Sequence, residues 1–134
     1  MPVAHKVLLD AMLNDLLKVC YAQCDRPVFR RRGEQAVRTG ASQLAGSILF
    51  SIDYHSDKYD LPVNFDNARE VQEHSGGGAH AQLVLNHLEA LCTRSGLQPE
   101  QGFKLLQQYY AGLKQKDPEL ENLYDAYVGK AIAG

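Results

Sequence analysis

The sequence predicts an all-α protein, a single helical domain over residues 1–134 built as a bundle of about five to six helices. Apolar residues recur at intervals of three and four through most of the chain. Prolines stand where two of the helices would begin. The one stretch that suits a strand, "SILFSIDY", has no obvious partner strand. A chain of 134 residues buries about two-thirds of its unfolded surface in a single core, and no segment is long enough to link two domains.

The first helix is expected over Val3–Cys24. Leu9, Leu13, Leu16, Leu17, Cys20, Tyr21 and Cys24 share one face, while Asp10, Asn14 and Lys18 take another. Pro27 ends it, because proline disfavours helical geometry at Arg26 and cannot donate to the ladder. The period resumes at Val37, Ala41, Leu44, Ala45, Ile48, Leu49 and Ile52. Glycine inside a helix costs about 1 kcal/mol relative to alanine, so Gly40, Ala41, Ala45 and Gly46 are read as small residues that let another helix come close.

"DYHSDKYDLPVNFD" lacks a helical period and reads as an exposed connection, with Asn64 or Asp66 capping the short helix "NAREVQEH". The glycines of "SGGGAHAQ" read as an interhelix bend, since a phosphate cradle needs a preceding strand and a lysine that this stretch lacks. Ala81, Val84, Leu85, Leu88, Leu91 and Cys92 form the next stripe, closed by Gly96 in a left-handed cap. Pro99 opens a helix bearing Phe103, Leu106, Tyr109, Tyr110 and Leu113. Asp117 and Pro118 open the last, with Leu120, Leu123, Tyr124, Tyr127, Val128 and Ala131 as its stripe.

Hydrophobic residues at 45% and charged residues at 22% are globular values that exclude wholesale disorder. A net charge of -2 and a pI near 6.2 give no global attraction to nucleic acid or an anionic membrane. Three cysteines, an odd number, and an opening without a secretory pattern point to reduced thiols in the cytoplasm. No apolar run approaches the roughly 20 residues that span a bilayer.

Four groups of residues carry candidate chemistry. Asp53, His55, Glu70, Glu73 and His74 surround the glycines, and Glu70 and Glu73, at i,i+3, share a helix face as carboxylates holding Mg²⁺ or Mn²⁺ do. This is the basis of one alternative, a metal-dependent hydrolase of a nucleotide or other phosphate ester; otherwise no cofactor is expected. Cys20 and Cys24 sit on the apolar face of the first helix and, with only Cys92 besides, read as core rather than zinc ligands. His80 and His87 lie about 10 Å apart along one helix side, too far for one metal ion, and read as boundary residues able to make pH-sensitive contacts.

"DRPVFRRRGEQAVR" gathers Arg26, Arg30, Arg31, Arg32 and Arg38 around Phe29. Such a patch suits an acidic protein surface or, as a second alternative, a nucleic acid. Arginines at a helix start oppose the helix dipole, so counter-charge is expected nearby, from Glu34 or the 53–60 segment. Tyr109, Tyr110, Tyr124 and Tyr127 are of a residue type enriched at interfaces and are read as an outward aromatic face. With no nucleophile–base set and no complete cofactor motif, the leading expectation is a small soluble non-catalytic interaction or adaptor protein that self-associates and binds a partner.

Overall fold

The computed structural model describes residues 3–62, 64–74, 78–116 and 123–129, with the side chains of 3–5, 50–56, 74, 78 and 128–129 left aside. The protein is all-α. Among the described residues six α-helices, α1 (Val3–Cys24), α2 (Pro27–Arg30), α3 (Glu34–Tyr59), α4 (Phe65–His74), α5 (Gly78–Arg94) and α6 (Pro99–Lys116), are followed by a π-helical turn, Asp125–Gly129. Among the described residues there is no strand, and no helix is long and apolar enough to cross a membrane.

The core forms where the stripes converge. Leu9, Met12, Leu13, Leu16, Leu17 and Cys20 of α1 are buried against Ala41, Ala45, Ile48 and Leu49 of α3, with Val84, Leu85 and Leu88 of α5 and Phe103 and Leu106 of α6 closing the same cluster. The small residues of α3 act within the fold. A Cβ at Gly40 would lie 3.4 Å from Cys24 Sγ of α1, and one at Gly46 would lie 2.9 Å from the Tyr110 hydroxyl of α6, while Ala41 and Ala45 are fully buried.

The helix ends follow the sequence closely at three places. Pro99 is the first residue of α6, and the Gln98 carbonyl accepts from Gly102 N–H at 2.8 Å. Asn64 caps α4 by accepting from Asn67 N–H at 2.8 Å, whereas Asp66 lies inside the first turn. Gly96 adopts φ +77; Leu97 N–H then reaches the Cys92 carbonyl at 3.0 Å and Gly96 N–H the Thr93 carbonyl at 3.1 Å, a Schellman ending to α5.

The expected connection over residues 53–66 is corrected at its start, because α3 continues to Tyr59. A periodic apolar stripe records burial, and residues 57–60 are exposed, so this part of the helix leaves no stripe to read. Asp60, at φ +54, ends it two residues before Pro62. The glycines at 76–77 and the expected start at Asp117–Pro118 lie outside the described residues.

Candidate interaction surface

The arginine stretch forms a shoulder where α1, α2 and α3 meet. Pro27 starts α2 after an extended Arg26, and Gly33, at φ +104, turns the chain into α3. Between them the backbone is fully tied: Arg31 N–H donates to the Pro27 carbonyl at 3.1 Å, Arg32 N–H to Phe29 at 3.0 Å and Gly33 N–H to Arg30 at 3.0 Å. A short polar stretch is thereby held in one conformation.

Its five arginines divide into two kinds. Arg30 donates to Asp25, at 3.1 Å through Nη2, and to Glu34 and the Tyr21 hydroxyl, over whose ring its guanidinium lies at 5.9 Å. Arg38 pairs with Asp125 at 3.2 Å, and Gln35 donates to the same carboxylate at 2.9 Å. Arg26 donates to the Gln23 carbonyl at 2.9 Å, and its Nη2 lies 2.6 Å from His80 Nε2. The same Nη2 lies 2.8 Å from His80 Nδ1, which Gln23 Oε1 also approaches at 2.9 Å.

Arg31 and Arg32 are exposed, and their side chains have no hydrogen-bond or ion-pair partner among the described residues. Glu34 therefore supplies part of the expected counter-charge. The rest comes from Asp25 and Asp125, with no ion pair from described residues 57–60 of the 53–60 segment.

The Asp25 carboxyl is held below its ordinary value by the Arg30 hydrogen bond, and that of Glu34 by Tyr21 and then Arg30. A depressed folded value means stability that is fully present above the ordinary carboxylate range, near 4, and lost as pH falls through the folded value. Acid unfolding is therefore expected to be less steep for an Asp25→Asn, Glu34→Gln variant than for the parent. Carboxyl-carbon NMR should place both parent midpoints below the ordinary values; midpoints at those values would exclude the network.

Phe29 is half-buried and borders two open grooves. One, about 320 Å³, is lined by Gln23, Cys24, Arg26, Phe29, Leu44 and His80. The other, about 330 Å³, runs between Phe29 and Arg32 and along Ala36, Thr39, Gly40 and Gln43 of α3. Val28 stands beside them 58% exposed. Sequence reading singled out Phe29 and the arginines but not the groove walls, although Ala36, Thr39, Gly40 and Gln43 have the i, i+3, i+4, i+7 spacing of one helix face.

The other candidates are placed elsewhere. Tyr110 is buried, its hydroxyl pushed up to about 12 by burial, and Tyr124 is buried with its ring stacked on Tyr21 at 4.8 Å. Tyr109 and Tyr127 are half-buried against the core, and Tyr109 donates to Asp10. All four rings thus pack against the core of their own protomer.

Cys20 and Cys92 are buried and Cys24 partly so. Burial raises all three thiols, Cys92 to about 11, the opposite of what a thiolate nucleophile requires. His87 is half-buried on α5. Of the carboxylate and histidine group, Glu70 and Glu73 are exposed on α4, and the side chains of Asp53, His55 and His74 lie outside the described ones. Among the described residues no three His, Cys, Asp or Glu side chains converge on a cation position.

Glu70→Ala with Glu73→Ala is expected to change stability by less than about 0.5 kcal/mol, with no divalent-ion effect on the Tm of the parent. A Mg²⁺- or Mn²⁺-dependent rise in Tm that the double variant loses would establish a metal site.

Comparisons with protein families, with characterised proteins and with solved structures each find no match to the chain. Function must be argued from the chemistry of the surface itself.

Proposed function

We propose that this protein is a small non-catalytic interaction module that binds a partner protein through the α2 shoulder. The observation that carries this reading is the pairing of two grooves beside Phe29 with two arginines, Arg31 and Arg32, that have no partner among the described residues. Aromatic and arginine side chains are the types that anchor interfaces, and a hydrogen-bonded turn leaves their rotamers, not their backbone, to be ordered on binding.

Self-association belongs to the same reading but uses another face. A two-fold contact would set the same patch against itself and bring Arg31 and Arg32 of both copies together, which like-charge repulsion opposes. Val7, Tyr59 and Leu61 are exposed apolar residues away from α2 in sequence, and light scattering that finds a strict monomer at high concentration would remove this part. A reducing compartment such as the cytoplasm suits three free thiols.

The test is a photo-crosslinking residue at Val28, introduced in the cells that make the protein and compared with one at Tyr59. A protein captured from Val28, and lost in the Arg31→Ser, Arg32→Ser variant, supports the reading; capture of the same proteins from both positions overturns it. The exposed arginines also keep nucleic acid in view as the second reading. An oligonucleotide titration at low salt decides it, with an affinity falling at a slope of about two against salt if both arginines meet phosphates.

A further inference from the structure

The partner's chemistry can be argued from charge and groove together. Around α2 stand five arginines, of which Arg30 and Arg38 pair with three carboxylates, Asp25, Glu34 and Asp125, so among the described residues the shoulder keeps a positive surplus, with the Arg31 and Arg32 side chains unpartnered, although the whole chain carries -2. Both arginines extend from a turn whose backbone N–H groups are bonded, so their Cα positions are set while the guanidinium groups stay free to turn toward a ligand, and Arg32 lines one of the grooves. Both grooves offer apolar lining, Cys24, Phe29 and Leu44 in one and Phe29, Ala36 and Gly40 in the other, among polar side chains that include Arg26 and Arg32.

A ligand that satisfies both features carries carboxylates and apolar side chains on one short stretch. A nucleic acid satisfies only the first. Two phosphate contacts give it little affinity at physiological salt.

Resting on the interaction-module reading, we propose that the α2 shoulder docks an acidic segment of a partner protein, whose apolar side chains seat in the grooves bordering Phe29 while its carboxylates pair with Arg31 and Arg32. Arginine meets a carboxylate through two parallel N–H donors, which fixes the orientation of the segment as well as attracting it. Exposed pairs of this kind are screened by salt, so the complex weakens as ionic strength rises, and the apolar contacts leave a salt-independent remainder.

The experiment is a selection of random 12-residue peptides displayed on phage against the full-length protein, followed by anisotropy titration of the enriched peptides and of a 20-residue oligothymidylate. Enriched sequences are expected to combine Asp or Glu with Leu, Ile or Phe. They should bind Arg31→Ser, Arg32→Ser roughly tenfold more weakly and lose affinity between 50 mM and 500 mM salt.

The Arg31→Glu, Arg32→Glu variant, altered only at exposed side chains without partners among the described residues, is expected to enrich basic peptides instead. Enrichment of neutral or basic peptides by the parent overturns the acidic chemistry; where those peptides lose binding on Val28→Asp or Phe29→Ala, the shoulder stands as an interaction surface with a different partner. Enriched peptides indifferent to every shoulder variant, no enrichment at all, or shoulder-dependent binding of the oligothymidylate alone overturn the docking of an acidic segment.

Discussion

Phe103→Ala is expected to cost about 3–5 kcal/mol of stability and, at this chain length, to lower Tm by roughly 10–20 °C. Phe103 is fully buried in the second turn of α6, where its ring meets that of Phe65 at 4.8 Å with a 47° tilt. Phe65 is the first residue of α4, so this one ring helps join α6 to α4. Removing it opens a cavity in the buried cluster, and it also removes an aromatic pair worth about 0.5–1.5 kcal/mol beyond its area.

The same truncation at Tyr59, which is 59% exposed, is expected to change stability by less than about 0.5 kcal/mol. Urea unfolding with an unchanged m-value measures both. A loss below about 1 kcal/mol at Phe103 would mean that the ring is not part of a closed core.

What could be read from the sequence was whatever depends on neighbours in the chain. Pro99, Gly96 and Asn64 set helix ends through their own dihedral preferences and short-range hydrogen bonds, and all three are found at the expected ends. The stripes of α1, α5 and α6 needed only the helical period.

The arginine shoulder needed more. Arg30 and Arg31 are adjacent, chemically identical and both exposed, yet the side chain of one bonds to Asp25, Glu34 and Tyr21 while the other has no side-chain partner among the described residues. Arg38 meets a carboxylate, Asp125, from the far end of the chain. The Arg30–Glu34 pair is an i,i+4 neighbour that the chain itself brings close, but no local rule gives the Arg38–Asp125 pair, which follows from the packing of the 123–129 turn against α3, where Tyr124 N–H donates to Ser42 Oγ at 2.9 Å.

The tyrosines had the same ambiguity. A ring with a polar tip suits an interface or a core edge equally well, and only the place of Gly46 opposite the Tyr110 hydroxyl distinguishes them.

Gly102→Ala is expected to lower stability by about 2 kcal/mol, although the same change in an isolated helix would raise it by about 1 kcal/mol. Gly102 is buried where α6 crosses the end of α5, and a Cβ there would stand 2.7 Å from Cys92 Sγ, 3.1 Å from Cys92 Cβ and 3.3 Å from Leu97 Cβ. The sulfur can rotate only within a fully buried site. The two Cβ atoms cannot rotate at all, since the backbone fixes them, and the backbone here is the Schellman ending that Leu97 and Gly96 form with Cys92 and Thr93. The extra methyl must therefore push α6 away from α5 or loosen that ending.

Cys92→Ala removes the nearest atom and leaves a small cavity, at a cost of about 1 kcal/mol. In the double variant the methyl added at position 102 occupies the space that the sulfur has left, so the two losses should not add; a favourable coupling of about 1–2 kcal/mol is expected from the four-variant cycle. Additive losses would place the strain at Leu97 and the helix ending. A gain in stability for Gly102→Ala alone would show that helix propensity outweighs packing at this crossing and that α5 and α6 do not approach as closely as the glycine allows.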